Sequence, residues 1–151
     1  MSNGLEDFSL FDLFRMEAEE QVRVLQQGLI ELEAGAATAA TLESLMRAAH
    51  SIKGAARIVG LDAIVNLTHL VEDRFVAAQH GSALNSAEID KMLTATDWLT
   101  RLQAVPEAEI SAWFAAQAPA IAAFTATFPS HDTPGAPSEA VPSPSPSQRR
   151  T

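Results

Sequence analysis

The sequence predicts an all-α fold: an up-down antiparallel four-helix bundle with an additional fifth, C-terminal helix. Three observations predict it. Apolar residues recur at spacings of three and four along residues 1–128, with almost no alternating strand pattern. Gly35, Gly60 and Gly81 close three of the periodic stretches and leave short connections, which make consecutive helices antiparallel neighbours. Six of the eight prolines fall in residues 129–151, so the stretch that resists helix formation is set apart at one end.

The first helix is expected from Leu10 to Glu33, with Phe11, Phe14, Ala18, Val22, Leu25, Leu29 and Leu32 on one face. The second is expected from about Thr38 to Val59, with Leu42, Leu45, Met46, Ala49, Ile52, Ala56 and Val59 inward and Gly60 as the C-terminal stop. The third starts after Gly60, with Asp62 favourable in its first turn. It runs to about Gln79 and turns Leu61, Ile64, Leu67, Val71 and Phe75 inward. The fourth takes Ser86 as N-cap, with Glu88 beside its first turn, and runs to about Gln103. Ile89, Met92, Leu93, Thr96, Leu99 and Leu102 are its core positions. The fifth starts at Pro106 and carries Ile110, Trp113, Phe114, Ile121, Phe124 and Phe128, and Pro119 is predicted to kink or split it.

Residues 1–128 therefore read as one domain, and residues 129–151 as a flexible linker rich in Pro and Ser. A linker that ends at Arg149-Arg150-Thr151 predicts that the chain is a piece of a longer protein.

A chain of 151 residues is long enough for one domain with a real core. Without cysteine it has no disulfide, thiolate zinc site or cysteine nucleophile. A net charge of −9 opposes docking on nucleic-acid phosphates and on anionic membranes. No apolar run approaches the ~20 residues of a membrane span, and Met1 to Asp12 has no basic region of a secretory signal. A cytoplasmic protein is expected, with no nucleic-acid partner and no membrane insertion. There is no glycine-rich phosphate loop in strand context and no nucleophile elbow, so a self-contained enzyme is not expected.

Helix two carries the chemistry. His50, Lys53, Gly54 and Arg57 stand at i, i+3, i+4 and i+7, on one face beside the apolar stripe. Glycine inside a helix costs about 1 kcal/mol relative to alanine, and here its missing side chain would bare one flank of the imidazole. Arg47, Lys53 and Arg57 make this helix locally basic, with Glu43 its single acid, which suits an anionic group on His50. On helix three, Val65, His69, Glu72 and Val76 share a face. In a hairpin about Gly60, His50 and Glu72 lie a similar distance from the turn at ~1.5 Å per residue. Glu72 is placed to accept a hydrogen bond from one imidazole nitrogen, fixing the tautomer and leaving the other nitrogen's lone pair to solvent.

Arg47-Ala48-Ala49-His50-Ser51-Ile52-Lys53-Gly54 resembles the phosphorylation motif of histidine phosphotransfer (Hpt) domains, most of all the N-terminal domain of CheA-type chemotaxis histidine kinases. Thr68-His69-Leu70-Val71-Glu72-Asp73 resembles that family's second motif, and the resemblance spans roughly residues 8–105. It implies that His50 is the phospho-acceptor and Glu72 the carboxylate that orients the imidazole. It implies further that Lys53 assists the phosphoryl group, Gly54 gives access and His69 adds polarity to the site. Arg57 is a further candidate for contact with phosphate or partner. The implied donor is the ATP-binding kinase domain of the same or a sister chain. The implied acceptor is an aspartate on a CheY-like receiver domain that carries Mg²⁺. No cofactor is expected in this chain itself. After Gly54 the motif continues Ala55-Ala56-Arg57-Ile58-Val59-Gly60 instead of a glycine-rich stretch, which is similar to CheA-like hybrid kinases of Wsp-type surface-sensing systems.

Plainer readings stand beside these. His69 is as readily a surface histidine. His80 serves a helix C-terminus, His131 lies in the linker, and Trp98 and Trp113 are packing residues. Two rival readings fit the same residues. In one, His50, His69 and Glu72 converge on a divalent metal, against which the missing second Glu-x-x-His pair and the nearby cations argue. In the other, the bundle is an interaction module without phosphochemistry, which leaves Gly54 without a reason.

Overall fold

A computed structural model describes residues 9–128; the expected linker at 129–151 lies outside the described residues. The elements are α1 (Leu10–Glu33), α2 (Ala39–Ile58), α3 (Asp62–Gln79), α4 (Ser86–Gln103), a 3₁₀ turn (Glu107–Glu109) and α5 (Ile110–Thr125). Helix α1 packs on α2 and α4, and α3 packs on α2 and less extensively on α4, which closes the up-down bundle. Helix α5 leans on α3. No described helix is long and apolar enough to cross a membrane.

Reciprocal caps start three of the helices. The Ser9 hydroxyl accepts from the Asp12 N–H while the Asp12 carboxylate accepts from the Ser9 N–H, and Thr38 and Thr41 do the same for α2. In α4 the cap is Asn85, not the expected Ser86. The Asn85 side-chain oxygen accepts from the Glu88 N–H at 2.8 Å, and Glu88 Oε1 accepts from the Asn85 N–H at 3.0 Å. Asn and Ser are comparable caps in isolation; the carboxylate three residues on decides between them. Pro106 does not start α5. It precedes the 3₁₀ turn, and the helix begins at Ile110. Nor does Pro119 split α5, which is continuous to Thr125. Pro119 and Ala115, whose carbonyl loses its N–H partner, both lie on the exposed side of an edge helix, where water satisfies the carbonyl.

The core is the apolar stripe of each helix, with Phe14, Leu25, Leu29, Leu45, Ile52, Ile64, Leu67, Phe75, Met92 and Leu102 almost fully buried. Leu32, Leu42, Met46, Val59, Leu61 and Leu93 pack on it only partly. Trp98 and the small residues Ala48, Ala78 and Ala95 are buried as well. Gly28 sets the close approach of α1 to α2: a Cβ there would lie 2.6 Å from Cδ2 of Leu45.

Two arginines tie the ends of the bundle. Buried Arg74 donates to both Glu88 carboxylate oxygens at 2.7 and 2.8 Å, and to the carbonyls of Ser82 and Ala83. These bonds hold the α3–α4 connection closed and pull the Glu88 carboxyl down to about 2. Arg15 donates to the carbonyls of Gln103 and Val105, joining the start of α1 to the end of α4.

Candidate functional site

The α2–α3 hairpin turns at Gly60, whose φ of 76° lies in the left-handed region that glycine adopts without strain. The turn brings His50 and Glu72 level. His50 Nδ1 lies 2.8 Å from Glu72 Oε2, and the imidazole side chain is 64% exposed. Glu72 is only 13% exposed, and its other oxygen lies 2.7 Å from the Lys53 ammonium. Glu72 therefore bridges His50 and Lys53. Burial opposes its ionisation, but the hydrogen bonds from Lys53 and His50 outweigh burial and hold its carboxyl below the usual carboxylate range.

An ionised carboxylate only accepts, so the neutral imidazole selected by this contact carries its proton on Nδ1. The lone pair is then on Nε2. Met46, Arg47, His50, Ser51 and Glu72 line an open hollow of about 420 Å³ around the ring. Met46, expected only on the inward stripe, and Ser51, which appears only within the motif, are additions to the expected site; they stand one turn before and one residue after His50.

Gly54, one turn beyond His50, has open space where its side chain would be: a Cβ would meet nothing within 4 Å. The bundle's own packing does not require this glycine, unlike Gly28. The Lys53 ammonium, expected to assist the phosphoryl group, stands against Glu72. Its side chain is only 13% exposed and pairs with Glu72. His69 is not drawn into the bridge. Its Nε2 lies 3.3 Å from Asp73 Oδ2 on its own helix. Arg57 is exposed in the last turn of α2, ~10 Å along the axis from His50, so the two are not brought together. Arg47 pairs with Glu43 at 2.7 Å. Among the described residues no three His, Asp or Glu side chains are grouped to hold a metal ion. At Glu72 the ammonium of Lys53 occupies the position a cation would take.

The family model of the Hpt domain matches residues 9–107, from the cap of α1 to the 3₁₀ turn. The chain belongs to the Hpt domain family. An Hpt domain is a phosphocarrier of phosphorelay signalling. The chain is 29% identical over 102 residues to the chemotaxis protein CheA of Borreliella burgdorferi, covering 67% of this chain and 12% of that protein. It is 35% identical over 98 residues to CheA of Salmonella typhimurium, covering 64% and 14%. It is 34% identical over 94 residues to the gliding motility regulatory protein of Myxococcus xanthus, covering 62% and 12%. The chain thus spans about an eighth of the length of these curated relatives. Helix α5 lies beyond the matched Hpt region.

Proposed function

We propose that His50 is the phospho-acceptor of this Hpt domain, and that it relays a phosphoryl group from a CheA-like kinase domain to a receiver aspartate. The observation that carries the reading is the Nδ1–Glu72 contact on an otherwise exposed imidazole. With its proton held on Nδ1 by a carboxylate, Nε2 presents a directed lone pair to solvent. The Nε2 lone pair attacks the γ-phosphorus of ATP on the kinase domain of the same or a sister chain. The bond from that phosphorus to the β–γ bridging oxygen breaks, and ADP leaves with the electron pair. In the second step a receiver carboxylate oxygen attacks the phosphorus, the N–P bond breaks, and its electron pair returns to Nε2. The receiver is CheY-like and brings its own Mg²⁺.

The chain's residues position and do not catalyse. Glu72 fixes the tautomer and stabilises the cationic phospho-imidazole. Lys53 keeps Glu72 ionised and in place, so its action on the phosphoryl group passes through Glu72. Gly54 leaves the flank of the imidazole bare for the incoming domain. His69, paired with Asp73, adds polarity at the edge of the site, and Arg57 contacts the partner. A part in chemotaxis-like signalling is supported by the relatives named chemotaxis protein CheA, and a cytoplasmic location suits both partners.

The test is labelling with a CheA-type kinase domain and radiolabelled ATP. The wild-type chain is expected to gain acid-labile, alkali-stable label, and a folded His50→Gln variant none. Label that persists in the variant removes His50 from the mechanism.

A further inference from the structure

Arg47 and Lys53 stand three residues before and three after His50, which places them about 60° to either side of it on α2. Lys53 reaches Glu72 and so marks the flank that faces α3. Arg47 therefore stands on the other flank, away from α3. The two ring nitrogens divide the same way. Nδ1 is turned to Glu72, and Nε2 lies at the far side of the ring. Helical side chains lean towards the N-terminus, so the imidazole overlies the turn that carries Arg47 and not the turn that carries Lys53. Arg47 accordingly lines the hollow around the ring, and no other Lys or Arg among the described residues lines it.

A phosphoryl group on Nε2 brings about two negative charges and three acceptor oxygens to this flank. The other cations of the region are committed or distant. Lys53 and Glu72 neutralise each other, His69 is turned to Asp73, and Arg57 stands ~10 Å along the axis. In the unphosphorylated chain Arg47 is held by Glu43, whose Oε2 accepts from Nε at 3.1 Å and from Nη2 at 2.7 Å. That pair is weak. Its side chains are 72% and 50% exposed, and both donors share one oxygen instead of taking two. Accepting the phosphocarrier reading above, we infer that Glu43 and Arg47 form an exchangeable latch, in which Arg47 leaves Glu43 on phosphorylation and donates to the phosphoryl oxygens of phospho-His50. The planar guanidinium then holds two oxygens at once, and a doubly charged acceptor outcompetes a singly charged carboxylate for it. Arg47 supplies the charge that Lys53, tied to Glu72, does not. Glu43 competes for the same guanidinium, so it sets how far the phosphorylated state is favoured.

The test is an equilibrium. The whole chain is mixed with ATP and ADP at a fixed ratio and a trace of a CheA-type kinase domain, and the phosphorylated fraction is read once it stops changing. The kinase moves the phosphoryl group from ATP to Nε2 and back to ADP. As a catalyst it leaves the ratio of the end states untouched, so any effect of a variant on kinase docking drops out. Arg47→Gln is expected to lower the ratio of phosphorylated to unphosphorylated chain about tenfold, the worth of a hydrogen bond between charged groups. Glu43→Gln frees Arg47 and is expected to raise the ratio about two- to threefold. The double variant is expected to match Arg47→Gln alone. Both side chains are exposed, so helical circular dichroism is expected to stay that of the wild type. A merely structural role predicts otherwise: the two single variants break the same ion pair, so both would move the ratio in one direction or leave it alone. The inference is overturned by single variants that move together, by an Arg47→Gln ratio within twofold of wild type, or by a Glu43→Gln gain that persists in the double variant. A wild-type chain that takes no label at all overturns the phosphocarrier reading itself, a result distinct from these.

Discussion

At Glu72, burial and charge pull in opposite directions. Burial favours the neutral acid, and two donors on separate oxygens favour the carboxylate. Glu72→Gln keeps the shape but removes the charge, and leaves either the His50 or the Lys53 side facing an amide donor. Losing one hydrogen bond to a charged group is worth ~1.5–3 kcal/mol, or roughly 10- to 100-fold in rate. Initial labelling of Glu72→Gln is therefore expected to fall by about that factor while the fold persists. Labelling within twofold of wild type would show that the tautomer does not depend on this carboxylate. The contact was legible in the sequence from the hairpin geometry alone, because equal distances from a turn place residues level. The second half of the bridge was not. A lysine three residues from His50 could have faced solvent or α3, and only the packing of α2 on α3 turned it inward.

Helices α1 and α2 each contain an interior glycine, and the two are there for different reasons. At Gly28 a methyl group would strike Leu45, which is itself fully buried and has no room to yield. Gly28→Ala is expected to destabilise the bundle by about 1–3 kcal/mol, more than the ~1 kcal/mol that alanine restores to a helix. At Gly54 a methyl group meets nothing. Gly54→Ala is expected to stabilise the isolated domain by up to ~1 kcal/mol, read as a higher denaturant midpoint, and to slow transfer to the receiver. A stabilised variant that transfers at the wild-type rate would strip Gly54 of any role in access. The sequence flagged Gly54, since a helical glycine among polar neighbours invites a reason. It gave no such signal for Gly28, whose reason is a side chain seventeen positions away. The same limit explains α4 and α5. Adjacent Asn85 and Ser86 are equally good caps until Glu88 selects one. Pro119 breaks a helix by local rules, yet the lost bond lies on an exposed edge where its cost is small.

The whole bundle depends on closures that join distant segments, and these carry its acid sensitivity. Arg74 is buried, so the carboxylate that neutralises it must remain charged. The Glu88 carboxyl titrates at about 2 in the folded chain, below its ordinary value of 4.5. Its contribution is therefore complete above about 4.5 and is lost as the pH falls from there towards 2. Urea midpoints of the wild type are expected to drop across that window. The Glu88→Gln variant, less stable by about 2–3 kcal/mol at neutral pH, is expected to show midpoints that drop less steeply. Parallel pH profiles would mean that another carboxylate governs the acid limb.

The sequence by itself determined the helix count, most helix limits, the buried stripes and the His50–Glu72 pairing. All of these follow from short-range periodicity, caps and the length of one hairpin. The tertiary structure alone decided that Lys53 pairs with Glu72, that His69 turns to Asp73, and that Arg15 and Arg74 close the bundle's ends. Periodicity tells which face of a helix is buried. Which neighbour a polar side chain on the margin of that face will meet depends on how the helices pack together.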